Sequence, residues 1–224
     1  MKPSSANDGK DQKNGREAQA RTRPRLVGQR LEELLDVAAE VFIADGFASA
    51  STNVIAQRGG ASKASLYSRF PTKEALFIAV LEHRMNRIFQ AVAATIPPEA
   101  PLRDALTAFA TRFSHLIFNQ AQIALLRVVS METARFPQLG QRFFELGPGR
   151  GLAALAGYMD AQIGRGALRP DDPKLLAQQF LGMIAGFPLL LGLLGMASQL
   201  ETDETRGTRI ERAVNAFVFA HGSA

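Results

Sequence analysis

From Leu31 onward, apolar side chains return every third or fourth position: Leu31, Leu34, Leu35, Ala38, Val41 and Phe42 line up against Glu32, Glu33, Asp36 and Glu40. That period predicts an amphipathic helix with one buried face, and Gly46 predicts its end through a left-handed cap. Ser51 or Thr52 opens a second helix of about two turns, carrying Val54, Ile55 and Ala56 and stopped by Gly59-Gly60. Ser62 is the N-cap of a third, Lys63 to Phe70, which Pro71 prevents from continuing. Thr72, with Glu74 close behind, starts a long helix that runs through Ala75, Leu76, Ala79, Val80 and Ile88 towards Thr95 and is able to join two domains. Pro97-Pro98 and Pro101 interrupt the chain, and Leu102, Leu106, Phe109, Phe113, Leu116 and Ile117 then mark the next amphipathic stretch. The same reading places helices near 121–134, 137–146, 149–164, 173–197 and 203–221, each bounded by Gly, Pro or Asp clusters. No alternating strand pattern competes and no internal repeat is visible. The predicted fold is all-α: a small three-helix N-terminal bundle (27–81) and a larger C-terminal helical bundle (82–224), behind a polar tail (1–26) with almost nothing to bury, expected to be disordered.

Composition narrows the function. The chain has 224 residues, 46% of them hydrophobic and 21% charged, which suits an ordinary soluble protein with a full core. It has no Cys, so disulfides, thiolate metal sites and a thiol nucleophile are excluded, in keeping with a reducing cytosol. The N-terminal stretch lacks the roughly 7–15-residue apolar core of a secretory signal, and a cytoplasmic location is expected. Catalytic signals are missing too: three His, no HExxH and no GxSxG. Gly147-Pro148-Gly149-Arg150-Gly151 follows no strand and lacks the Lys-Ser/Thr of a phosphate loop, which reads as a helix break. His83 and Glu82, as neighbours, point in different directions and form no pair. No enzyme activity, cofactor or metal is expected.

Charge is more telling by region. Residues 1–30 carry eight Lys/Arg and three Asp/Glu, a net +5 that equals the net charge of the whole chain. Residues 31–45 hold five acids and no base, whereas residues 46–73 hold Arg58, Lys63, Arg69 and Lys73 and no acid. A basic tail and a basic island of this kind suit a nucleic-acid surface, although a solvated tail with chance spacing would look the same. Two short helices joined by a tight Gly-containing turn, the second basic and rich in hydroxyls, are the parts of a helix-turn-helix. The second helix must be slim at its N-terminal end to enter a major groove, and Ala61, Ala64 and Ser65 allow that approach. Lys63 and Ser65, on its first turn, are placed to meet base edges. Thr52, Ser62 and Thr72 stand at helix N-termini, where free N–H groups and the local dipole suit a phosphate. Leu66 and Phe70 read as core, while the Tyr67 ring can pack and still offer its hydroxyl outside. Arg58 reads equally as part of a solvated face.

Residues 31–81 resemble the DNA-binding domain of the TetR family of bacterial transcriptional regulators. The likeness runs in order through Ala38-Ala39-Glu40-Val41-Phe42, Asp45-Gly46-Phe47, Thr52-Asn53-Val54-Ile55-Ala56, Gly60-Ala61-Ser62-Lys63-Ala64-Ser65-Leu66-Tyr67, Phe70 and Lys73-Glu74-Ala75-Leu76-Phe77. Ala64 stands where the family often has Gly, and Arg69 where it often has His. The resemblance implies that Thr52 caps its helix against a phosphate, that Tyr67 hydrogen-bonds a phosphate through its hydroxyl, and that Lys73 pairs with another. The implied DNA-binding set is then Thr52, Ser62, Lys63, Ala64, Ser65, Tyr67, Arg69 and Lys73. Arg21, Arg23 and Arg25 of the tail offer an arm that follows the backbone or enters a minor groove.

The C-terminal half is similar, more loosely, to the AefR-like regulators through Leu126-Arg127-Val128-Val129, Glu132-Thr133-Ala134-Arg135-Phe136-Pro137 and the turn from Gly166 to Pro173. This resemblance implies a pocket for a small-molecule effector and a homodimer interface. Met85, Phe89, Phe109, Phe113, Met131, Phe136 and Phe144 are the candidate pocket residues, with His115 as a polar anchor; plain core packing explains most of them equally well. Residues 175–197 hold no charge over 23 positions, long enough to span a bilayer. Gln178, Gln179, four glycines and Pro188 favour instead a buried helix that pairs, with the last helix and its face of Ile210, Val214, Phe217 and Val218, against a second copy. The expectation is a dimeric repressor that binds an inverted-repeat operator in double-stranded DNA and is released by an effector. A helical small-molecule-binding or membrane-associated protein with no specific DNA binding is the alternative.

Overall fold

The structure is a computed structural model that describes residues 26–196 and 202–223. The basic tail, with Arg21, Arg23 and Arg25, lies outside the described residues. Ten helices follow one another among the described residues: α1 (Gln29–Ser49), α2 (Thr52–Arg58), α3 (Lys63–Arg69), α4 (Lys73–Ala93), α5 (Leu102–Ile117), α6 (Gln120–Glu132), α7 (Pro137–Leu146), α8 (Pro148–Gly164), α9 (Pro173–Leu193) and α10 (Asp203–His221). The capping chemistry explains most starts. Ser62, Thr72, Asn119, Asp172 and Thr202 each accept a backbone N–H from the first turn they precede, satisfying donors that the helix cannot. Gly46 breaks α1 at φ 75 as the sequence indicates, but its ψ of 164 is extended rather than left-handed helical, and a last short turn to Ser49 follows.

Two apolar cores result. The first is built on Phe42, Phe47 and Phe77, whose ring centroids lie 4.8 to 5.9 Å apart, packed with Leu34, Ile55, Leu66, Val80 and Leu81. It does not close at residue 81. Leu125, Val128 and Val129 of α6 and Leu139 of α7 belong to the same core, so the N-terminal bundle is completed by side chains from the second half of the chain. The other core joins the end of α4 to α5, α8, α9 and α10 through Val92, Phe109, Leu155, Phe180 and Phe217.

Helix α9 stops at Leu193 and not near 197: a turn at Leu194-Gly195 folds the Met196 N–H back onto the Leu191 carbonyl, the closing bond of a Schellman cap. Pro188 sits within α9 without ending it. A proline offers no N–H to the carbonyl four residues earlier, here that of Ile184, and Arg209 of α10 donates to that oxygen instead. Arg127 of α6 donates to the Gly192 carbonyl at the other end of the same segment, a cation placed where the helix dipole is negative.

Candidate DNA-binding and effector sites

The turn between α2 and α3 rests on two glycines with different tasks. Gly60 has φ 64, and around it the Ala61 N–H reaches the Ala56 carbonyl and the Gly60 N–H that of Gln57, a Schellman closure that requires the left-handed region. Gly59 is needed for space, since a Cβ there would lie 2.3 Å from Leu34 Cδ1 of α1. The tight turn then delivers α3. Ser62 Oγ accepts from the Ser65 N–H at 3.0 Å and lies 2.7 Å from Ser65 Oγ, so both hydroxyls sit together at the N-terminal end of α3.

The side chains of α3 divide as the pattern indicates. Leu66 and, just past the helix, Phe70 are buried, whereas Lys63, Ala64 and Arg69 are exposed and Ser65 is half-buried. Tyr67 keeps 38% of its surface open, and its hydroxyl lies 2.9 Å from Thr52 Oγ1. Thr52 and Tyr67 are thereby brought to one place, the first turn of α2 against the outer side of α3. Lys63 Nζ lies 5.9 Å from the Tyr67 ring centroid, which adds a cation to the same face. Ser51, not Thr52, is the N-cap residue of α2, and it makes no side-chain capping bond.

Two basic residues of the island are turned to other work. Lys73 Nζ donates to the carbonyls of Ala48 and Ala50, at 2.7 and 3.4 Å, and lies 5.1 Å from the Phe47 ring. It therefore ties α4 to the end of α1 instead of standing free for a phosphate. Arg58 makes an ion pair with Glu40 of α1 at 2.6 Å. These partners are 25, 23 and 18 residues distant in sequence, and a local pattern carries no signal for them.

The second site is a cavity of about 280 Å³ enclosed by six helices, α4 to α9. Met85, Phe89 and Val92 of α4 face Phe109 and Phe113 of α5, Gln122 and Leu126 of α6, Phe143, Gly147 and Leu152 around the α7–α8 junction, and Leu181, Ala185 and Leu189 of α9. Gln122 is the one polar side chain in that wall. A cavity this apolar selects a ligand by carbon surface removed from water, about 25 cal/mol per Å². Gly147 is held against α4, where an added Cβ would meet Met85 Sδ at 2.5 Å.

Of the candidate pocket residues, Met85, Phe89, Phe109 and Phe113 line the cavity; the other four do not, and helical phase explains why. His115 follows Phe113 by two residues, about 200° around α5, and its Nδ1 lies 3.2 Å from Arg206 on the outside. Phe144 follows the wall residue Phe143 by one and is 55% exposed. Met131, near the end of α6, is 77% exposed. Phe136 is spent on the first core, its ring edge-on to Phe47 at 5.4 Å. Leu126, Ala185 and Leu189 also line it; small and aliphatic wall residues follow the same period as core and carry no separate signal, and Gln122 reads in the sequence as a surface residue.

An all-helical chain with an exposed, slim recognition helix and a separate enclosed cavity defines a ligand-responsive DNA-binding regulator, and comparisons identify the family. Residues 34–80 match the model of the bacterial regulatory proteins of the TetR family, and residues 104–223 that of the AefR-like transcriptional repressor C-terminal domain. The chain belongs to the TetR family of transcriptional regulators. Among solved structures, a TetR-family transcriptional regulator of Mesorhizobium loti superposes with a TM-score of 0.81 at 26% identity, over 86% of this chain and 96% of that one. The flavonoid-responsive regulator FrrA superposes with a TM-score of 0.72 at 31% identity, over 88% and 98%. The transcriptional activator FasR of Mycolicibacterium smegmatis is 35% identical over 91 residues, which span 39% of this chain and 42% of that protein.

Proposed function

We propose that this regulator is a homodimeric repressor, active in the cytoplasm, whose grip on an inverted-repeat operator is released when an apolar small molecule fills the cavity. One observation carries the reading: the same helices serve the cavity and the DNA-binding bundle. Along α4, Leu76, Phe77, Val80 and Leu81 belong to the first core, and Met85, Phe89 and Val92 to the cavity wall; Phe77 and Phe89 are about 18 Å apart along the helix. Along α6, Leu125, Val128 and Val129 enter the first core while Gln122 and Leu126 face the cavity. Any effector that shifts α4 or α6 must repack the bundle that holds α3, and it acts only through its differential affinity for the two arrangements.

On DNA, Lys63 and Ser65 meet base edges, Ala61 and Ala64 let the helix approach, and Thr52, Ser62, Tyr67 and Arg69 hold phosphates. The dimer forms through α9 and α10. Met183, Phe187 and Leu190 leave an open apolar stripe on α9 that continues to Leu194 just past it, and Phe219 on α10 is 90% exposed; the α10 face of Ile210, Val214, Phe217 and Val218, expected to meet a second copy, is spent instead on the core within one chain. Although α9 is long and apolar enough to cross a membrane, pairing that stripe with its copy buries it without a bilayer. A two-fold axis there sets two α3 helices about one DNA turn, 34–36 Å, apart. Support for a carbon-rich effector comes from the wall itself and from the flavonoid response that names FrrA.

The test is fluorescence anisotropy on DNA from upstream of the protein's own gene against a shuffled duplex, across a salt series. A preference of roughly 10³-fold or more at physiological salt is expected; equal, steeply salt-dependent binding to both would remove that region as the operator. A stable monomer on DNA by mass measurement would overturn the dimer.

A further inference from the structure

At the rim of the cavity, where Gly147, Pro148 and Gly151 of the α8 start form part of the wall, stands an arginine with no carboxylate paired to it among the described residues. Arg150 donates to Asn86 Oδ1 of α4, and its guanidinium lies 4.1 Å from the centroid of Phe89, a ring of the cavity wall. Arg58, Arg84, Arg87, Arg142 and Arg206 each have a carboxylate within 4.0 Å. No such ion pair is found for Arg150 among the described residues, and one of its five donors is taken by Asn86. The stack on Phe89 and the bond to Asn86 fix the plane of the guanidinium in advance, so little freedom is lost when its remaining donors meet an acceptor. A planar cation held at the lip of a carbon-lined cavity is suited to a carboxylate or phosphate, which it can take through two parallel N–H donors.

Resting on the reading of the cavity as the effector site, we propose that the effector is an apolar molecule with an acidic group at one end. Its body fills the space between Phe89, Phe113 and Ala185, and its acid emerges beside Gly151 to meet Arg150. Arg150 is then the residue that tells an acid from a neutral molecule of the same shape.

Isothermal titration of the full-length protein at fixed ionic strength, with decanoate, decyl phosphate and decanol as probes, tests this. In the unaltered protein, at least one of the two acids should bind tenfold or more tighter than decanol, and which acid wins tells carboxylate from phosphate. In Arg150→Gln the ratio of acid to alcohol affinity should fall towards one, and Arg150→Lys should recover part of it. An acid-to-alcohol ratio near one in the unaltered protein, or a ratio that Arg150→Gln leaves in place, would overturn the acidic head group. Ala185→Leu, which takes up cavity space, separates the two readings. If it weakens decanol binding while Arg150→Gln does nothing, the cavity stands as the site and the acid falls. If no probe binds, or if Ala185→Leu alters none of them, both fall together.

Discussion

Two groups of phenylalanines occupy this molecule, and the same residue does opposite things in them. Phe42, Phe47 and Phe77 interlock with their ring centroids 4.8 to 5.9 Å apart, surrounded by Leu34, Ile55 and the α6 valines. Phe89, Phe109 and Phe113 stand on the same kind of helical stripe, yet they surround about 280 Å³ of emptiness. Removing apolar surface from water drives both. Packing is complete in the first and withheld in the second, so the first group provides rigidity and the second a place for a ligand.

The contrast is sharpest in stability. Phe77→Ala should cost about 3–5 kcal/mol, the loss for a large side chain deleted from a filled core. Phe113→Ala, whose ring already borders empty space, should cost less than about 2 kcal/mol; urea melts compare the two, and equal losses would erase the distinction. Tyr67→Phe lies outside both groups. On the proposed role of its hydroxyl as a phosphate donor, the loss should weaken operator binding by about 1.5–3 kcal/mol, tenfold or more by anisotropy, while the exposed bond to Thr52 that goes with it lowers the melting temperature only slightly. The cavity should respond in the reverse sense to a gain of volume: Ala185→Leu is expected to raise stability by about 0.5–2 kcal/mol, as cavity-filling substitutions do, while blunting effector release.

The last effect concerns pH and shows only in alkali. Burial pushes the Tyr158 phenol up to about 12 from its ordinary value of 10, and its hydroxyl donates to the Ala100 carbonyl. The unfolded chain loses that proton first, so the stability it contributes is complete below pH 10 and is lost as pH rises through about 12. Tyr158→Phe should flatten that alkaline decline in melts taken between pH 9 and 12, with Gln162 still donating to the Ala100 carbonyl.

How far these regions could be read in advance follows from the range of the forces involved. The helices and their stripes come from local periodicity, and the caps at Ser62, Thr72, Asp172 and Thr202 from side chains acting within three residues of themselves. The α2–α3 turn is equally local and is legible in Gly59-Gly60 and Ser62, whereas Thr52 and Tyr67 are joined as phosphate contacts only by the family resemblance. Lys73 and Arg58 could not be read this way, because their partners Ala48 and Glu40 meet them only once α1 has folded back. The recruitment of Leu125, Val128 and Val129 into the first core is likewise a matter of docking; their stripe says that they are buried but not in which core. The same ambiguity hides the cavity altogether, since a stripe records which side of a helix faces inward and holds no measure of the volume left there.

Pro188 carries a consequence for how α9 and α10 depend on each other. A helix that loses an N–H inside a buried segment leaves a carbonyl unsatisfied, at a cost of about 1–3 kcal/mol, and here Arg209 donates to the Ile184 carbonyl in its place. Proline and arginine are on different helices, so the repair is made by the fold and not by the helix itself. With an N–H restored at position 188 the carbonyl would have its own donor, and the arginine's bond would be a second one on the same oxygen. Losing Arg209 should therefore cost more beside Pro188 than beside an alanine there, a coupling that a double-mutant cycle reads directly.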